Sequence, residues 1–262
     1  MDQITLIRLS VFAGALILFS VLEALLPRRQ RVQTRWRRWA TNLGLVVTGS
    51  LSLSLLGPLI AVGVAVWATQ NGWGLFNFLD WPFWLEGVLA FIILDFAVWL
   101  QHLLTHKIPI LWRLHRVHHA DRDLDASSGV RFHPIEILLS MIYKCGIVLL
   151  LGPALISVII FEIVLNATAI FNHANLALPR QLDTVLRKII VTPDMHRVHH
   201  SVILEESQKN YGFNFSIWDR VFRTYQAEPA QGQLGMTLGL EHAQIPQTQN
   251  LLWSLIYPFK KG

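Results

Sequence analysis

Five of the eleven histidines fall in one short stretch, as His102, His106, His115, His118 and His119. Three more return late in the chain as His196, His199 and His200, within a repeat of the same Arg-Val-His-His core. The neutral imidazole is a common transition-metal ligand, and residues three and four apart are neighbours on one face of a helix. His102 and His106 are an i,i+4 pair, and 115/118/119 and 196/199/200 are each i,i+3,i+4 sets. Three separated sets with helical spacing predict one convergent metal site. Surface histidines that cluster by accident rarely repeat a spacing three times.

Something must carry these sets to one place, and the composition says what. The chain is 53% hydrophobic and only 15% charged, with a mean hydropathy of +0.42; a soluble domain would carry about 25% charged residues. Long apolar runs therefore need a bilayer. Residues 4–26 are long enough to span, since about 20 residues cross the hydrocarbon, and they lack the charged start and cleavage site of a removable signal. After Pro27 come six arginines with no acid between them: Arg28, Arg29, Arg31, Arg35, Arg37 and Arg38. The positive-inside rule places that segment in the cytoplasm and accounts for the formal charge of +5 without nucleic acid. Trp36 and Trp39 are expected to anchor it at the interface.

A second span is expected from Leu43 to Ala68, bent at Gly57-Pro58, and a third from Phe83 to Gln101. Between them the stretch 69–82 has no Lys or Arg, carries Asp80, and holds Trp73 and Trp81 as an outer aromatic belt. The third span delivers His102 to the side that the arginines mark. Apolar runs 137–151 and 154–171, hinged at Gly152-Pro153, predict a helical hairpin that need not fully cross. The fold class is all-α: a membrane helical bundle of about three full spans plus that hairpin, with a cytosolic histidine-rich cap. It is a single membrane domain over 1–262, in which 1–82 are N-terminal membrane helices, 83–225 the histidine region and 226–262 a C-terminal tail. The single cysteine, Cys145, excludes an internal disulfide and suits core packing.

Two further histidines stand at the ends of the hairpin: His133, in Arg131-Phe-His-Pro-Ile-Glu136, and His173, in Phe171-Asn-His-Ala-Asn175. His242 lies alone in a polar tail. Two six-coordinate metals offer about twelve positions, so ten imidazoles leave roughly two for oxygen species. A structural zinc needs about four ligands, fewer than are present. Soluble di-iron bundles use Glu and Glu-x-x-His motifs; their absence from this spacing points to an all-nitrogen di-metal site, and redox chemistry favours iron. Asp95 projects within roughly 40° of His102 and His106 at about 100° per residue. A buried acid there is expected to hold a ligand imidazole by its other nitrogen. Glu162, Asn166 and His173 form a similar stripe, with Asn166 the weaker supporting candidate.

With these residues in view, the sequence resembles the fatty acid hydroxylase superfamily, which includes the sterol desaturases. The match lies in the three histidine boxes and in what surrounds them: Trp112-Arg-Leu-His, Arg131-Phe-His-Pro-Ile-Glu136, Thr192-Pro-Asp-Met-His, Asn210-Tyr-Gly-Phe213 and Trp218-Asp-Arg220. It covers about residues 80–225. One departure is Leu103, where many members carry Arg after the first box histidine. The resemblance implies an integral membrane enzyme with two histidine-bound iron ions, using O2 and external electrons on lipids. No haem-binding or dinucleotide motif is present, so a cytochrome or ferredoxin type partner is expected to supply the electrons. The enzyme would be an oxidoreductase that hydroxylates or desaturates an unactivated C–H of a fatty acyl or sterol-like lipid, in the inner membrane if bacterial. A metal-handling membrane protein is the alternative. A zinc hydrolase is disfavoured, because no carboxylate base stands between paired histidines.

Overall fold

The computed structural model describes residues 3–57, 59–79 and 81–260, so Pro58 and Asp80 lie outside the described residues. The described chain is helical, with isolated backbone bridges and no strand. Its elements are α1 (Gln3–Leu25), α2 (Arg35–Ser54), α3 (Ala61–Gln70), α4 (Phe83–Lys107), α5 (Pro109–His119), α6 (Pro134–Leu151), α7 (Leu155–His173), α8 (Arg180–Leu186), α9 (Pro193–His199), α10 (Leu204–Ser207), α11 (Ile217–Val221), α12 (Gly232–Gly235) and α13 (Leu251–Ile256).

Four helices, α1, α4, α6 and α7, are long and apolar enough to cross a membrane. The hairpin expected from 137 to 171 is thus a pair of full-length candidates. Its hinge is set by Gly152, which ends α6 in the left-handed region at φ 62. A Cβ there would stand 2.1 Å from the Trp73 carbonyl, so only glycine admits the 73–74 turn. The second expected span is instead two helices, because α2 stops at Ser54 and the chain turns through Gly57 at φ 55 before α3.

Ala61 and Ala65 of α3 pack with Leu94 of α4, Val148 of α6, and Val158 and Phe161 of α7. Small residues on α3 let the helices approach closely, as is common where lipid supplies no hydrophobic drive between helices. The opposite faces carry exposed Ile7, Ile17, Leu18, Leu51, Ile142, Leu150 and Ile160, which suit an acyl-chain surrounding. Cys145 is half-buried, with Sγ near the Leu59 carbonyl.

The polar ends of the helices are fastened by the arginines that follow Pro27. Arg38 is wholly buried and spans Asp121 (2.7 and 2.8 Å) and Asp125 (2.6 Å). Arg28 pairs with Asp194, and Arg31 and Arg35 converge on Glu23. Burial pushes the Asp121 carboxyl up, but the adjoining Arg38 charge and hydrogen bonds outweigh it and hold the group at about 2. Read from sequence as an uninterrupted cationic run, these residues find their acids elsewhere in the chain. Within residues 226–260, Leu240, Ala243 and Tyr257 pack against Leu45 and Val117.

Candidate metal centre

Each histidine-bearing element is started or stopped by local chemistry. Pro109 opens α5, Pro134 opens α6 and Pro193 opens α9, in first-turn positions where the missing N–H costs nothing. Thr192 caps α9 by accepting from Met195 N–H. Gly129 lets the 126–130 turn press on α7, since a Cβ would fall 2.3 Å from the Ala169 carbonyl. Together these bring the ends of α4, α5, α7 and α9 into one buried layer.

Nine histidines meet there, in two groups. His102, His106, His115, His119 and His199 form one; His118, His173, His196 and His200 form the other. Within each group one nitrogen per ring lies within 4.8 Å of all the others. Two of the three helical sets are divided between them, while His102 and His106 both serve the first. On α5 the i,i+4 pair 115/119 serves the first group and His118 the second; at α9 the pair 196/200 serves the second and His199 the first. The groups adjoin: the His119 and His200 rings stack at 4.5 Å.

Hydrogen bonds behind the rings fix which nitrogen faces inward. His102 Nδ1 donates to the Tyr211 carbonyl at 2.7 Å, His199 Nδ1 to Lys209 at 2.7 Å, His118 Nδ1 to Arg131 at 3.2 Å and His173 Nδ1 to Ala169 at 2.7 Å. Each of these rings, when neutral, therefore presents a lone pair at Nε2. Yet His102 and His199 meet Nε2 to Nε2 at 3.0 Å, and His118 and His173 at 3.1 Å. Burial, then the neighbouring imidazoles, hold His118, His119, His196 and His200 well below their ordinary range and His199 at about 3, so protons do not resolve the clash. Both nitrogens of His119 and of His200, and His106 Nε2, are buried without a partner among the described residues. Facing lone pairs in a dry site call for a cation between them. This donor set fits a transition metal in each group.

Nine of the ten histidines singled out in the sequence thus converge, and one does not. His133 belongs to neither group. It caps α6, its Nδ1 accepting from Ile135 N–H at 3.2 Å and its Nε2 donating to the Leu255 carbonyl at 3.1 Å. Both ring nitrogens are engaged by backbone, so the ring turns away from the centre. The supporting residues differ as well. Asp95 accepts from Trp218 Nε1 at 2.8 Å and from the Phe215 N–H, touching no histidine. Asn166 donates to the Glu162 carbonyl, while Glu162 pairs with Arg8 and Lys144. His242 bonds the Tyr257 hydroxyl, outside both groups.

The acid behind one of the converging rings is Glu136, whose Oε1 lies 2.5 Å from His115 Nδ1. It stands in the Arg131–Glu136 motif, two residues into α6, where its contact with α5 depends on the helix crossing. Asn210 is a further missed residue. Its left-handed backbone (φ 54) turns the chain so that the Tyr211 carbonyl meets His102. Asp219 holds that turn by accepting from the Tyr211 and Gly212 N–H groups, both at 2.9 Å, and from Trp99 Nε1. An asparagine followed by glycine two residues on was the readable signal, since Asn tolerates φ above zero.

A cavity of about 320 Å³ opens onto the first group, lined by His102, His115 and Glu136 at one end. It passes between Val46 and Leu53 of α2, Val98 of α4, Met141 of α6 and Leu165 of α7. None of the four histidines of the second group lines it.

A helical membrane bundle with two buried, converging histidine groups is one class of protein, and comparison with known sequences gives its family. The sequence pattern of the fatty acid hydroxylase family matches residues 87–224, just over half of the chain, and the protein belongs to that family. It is 31% identical over 160 residues to the ornithine lipid hydroxylase OlsE of Rhizobium tropici, covering 60% of this chain and 47% of that one. Alkylglycerol monooxygenase of Homo sapiens is 29% identical over 168 residues (62% of this chain, 35% of that one), and that of Danio rerio 31% over 217 residues (79% and 45%). The aligned region is therefore less than half the length of each of these relatives. No solved structure matches.

Proposed function

We propose that the protein is a membrane-bound di-iron oxygenase that hydroxylates an unactivated C–H bond of an amphiphilic lipid, using O2 and electrons from a separate cytochrome or ferredoxin type partner. The observation that carries this reading is the cavity, whose apolar walls end on His102 and His115 of the first group. The relatives named for ornithine lipids and alkylglycerols support a lipid substrate.

His102, His106, His115, His119 and His199 would hold one iron, and His118, His173, His196 and His200 the other. Bound iron would supply the activation of dioxygen. The chain's own residues do the rest. Backbone carbonyls at 209 and 211 hold His199 and His102 with Nε2 inward. Glu136 fixes the His115 tautomer and the orientation of its ring. Val98, Met141 and Leu165 exclude water from the substrate chain and orient it toward the first group. Desaturation of the same bond would use the same residues.

The reaction is tested by lipid analysis of membranes with and without active protein. Hydroxylation adds one oxygen atom to a lipid, and desaturation removes two hydrogens. No change in any lipid, with iron bound and reductant supplied, would sink the oxygenase reading. The arginine run further supports a cytoplasmic metal centre. Reporter fusions at residues 34, 76 and 262 should read in, out and in.

A further inference from the structure

The cavity has a second polar end. Arg8 of α1, Lys144 of α6 and Glu162 of α7 all line it. Arg8 Nη2 lies 2.6 Å from Glu162 Oε2 and Lys144 Nζ 2.7 Å from Oε1, so one carboxylate is shared by two cations. Glu162 is buried and Lys144 nearly so, at 4% and 16% side-chain exposure. Glu162 precedes His173 by about three turns of α7, roughly 16 Å of helix. Glu162 and Lys144 therefore sit among the membrane helices, well away from the histidine layer, with Arg8 beside them at 31% exposure.

Two cations also share Glu23, but neither that carboxylate nor its arginines line this cavity. Here one positive charge is left over, with Arg8 using only Nη2 and Lys144 a single contact among the described residues. An uncompensated charge within apolar helices is costly and marks a ligand or an ion path. The unspent donors border a cavity whose other end is the metal centre.

We propose that Arg8 and Lys144 bind the single carboxylate of a long-chain monoanionic amphiphile, so that its chain runs along the cavity toward His102 and His115. This rests on the cavity being the substrate site. One added negative charge brings the trio to neutrality, and the planar guanidinium and the ammonium offer the donors a carboxylate needs. A neutral amphiphile of the same length would leave the surplus charge in place.

The test is equilibrium binding to purified protein in zwitterionic phospholipid nanodiscs, without turnover. Dodecanoic acid and dodecan-1-ol compete with a chain-labelled fluorescent fatty acid. The acid is expected to bind about tenfold or more tightly than the alcohol, as a charge-assisted hydrogen bond implies. Lys144→Met and Arg8→Gln should each weaken the acid by about tenfold and leave the alcohol within about twofold; Lys144→Arg should restore the acid. Glu162→Gln separates a ligand site from a staple: the proposal expects acid binding to hold or tighten, a staple expects loss of both ligands. Equal affinity for acid and alcohol in the unaltered protein, or variants that weaken both alike, overturns the proposal. His196→Ala, inactive under the oxygenase reading, should bind the acid normally. Acid that binds with this selectivity but is never oxidised overturns the oxygenase reading alone.

Discussion

The two histidine groups are built from the same parts in opposite proportion. α5 gives two rings to the first and one to the second, while the α9 end gives one and two. The first group is completed by His102 and His106 of α4, opens on the cavity, and has a carboxylate, Glu136, behind one ring. The second is completed by His173 of α7 and is closed from the cavity, its rings held from behind by the Arg131 and Ala169 carbonyls. The difference teaches that near-identical Arg-Val-His-His repeats need not make equivalent sites. Only the first group lines the cavity, so under the proposed function it would face the substrate while the second would act through it.

The largest expected effect breaks this comparison at its root. His102→Ala and His196→Ala, one from each group, should each lower turnover by about a thousandfold, as expected where a group acts as part of a unit. If the groups bind separate ions, metal analysis should show each variant losing about one of two atoms per chain. Loss of both atoms in either variant would mean that the groups form a single cooperative centre.

Next in size is the acid that distinguishes the open group. Glu136→Gln should cut activity or metal affinity by about 10- to 100-fold, the usual penalty for losing a partner behind a metal-bound imidazole. Asp95→Asn should leave the metal content unchanged, because Asp95 bonds Trp218 and the 215 backbone instead of a histidine. Equal metal loss in both variants would show that burial of any acid near α4 is what matters.

The closed group rests beside the Arg38–Asp121–Asp125 network, which gives a pH test. The folded Asp121 carboxyl lies at about 2, below its ordinary 3.8. The stability it contributes, about 2 kcal/mol, is present above pH 3.8 and is lost as pH falls toward 2. Asp121→Asn should flatten that part of an acid-unfolding curve followed by tryptophan fluorescence; an unchanged curve would move the acid sensitivity elsewhere.

The smallest effect concerns the histidine outside both groups. His133→Ala should retain the full metal content and lose only the cap of α6, worth about 0.5–2 kcal/mol. A drop in bound metal would restore His133 as a ligand. Sequence reasoning placed it in the centre because it stands beside a proline at the hairpin's mouth, like His173 at the other end. Its fate was decided by the Leu255 carbonyl, contributed from far along the chain.

What the sequence determined by itself is periodic and local. Apolar runs marked the helices, and imidazoles at i, i+3 and i+4 marked the box residues as one converging set, because both signals depend on neighbours within a turn or two. The same periodicity also misled. Asp95 shares a helix face with His102 and His106, yet α11 approaches and Trp218 takes its carboxylate. The arginines after Pro27 read as a charge run, but four of the six pair with Asp121, Asp125, Asp194 and Glu23, mostly distant in the chain. The division of the 115/118/119 and 196/199/200 boxes between two groups had no signature in spacing, since i+3 and i+4 rings diverge only when helices cross on both sides. Tertiary structure decided these points, because carboxylates, carbonyls and guanidinium groups bond whatever the packing brings within 3 Å, wherever in the sequence it lies.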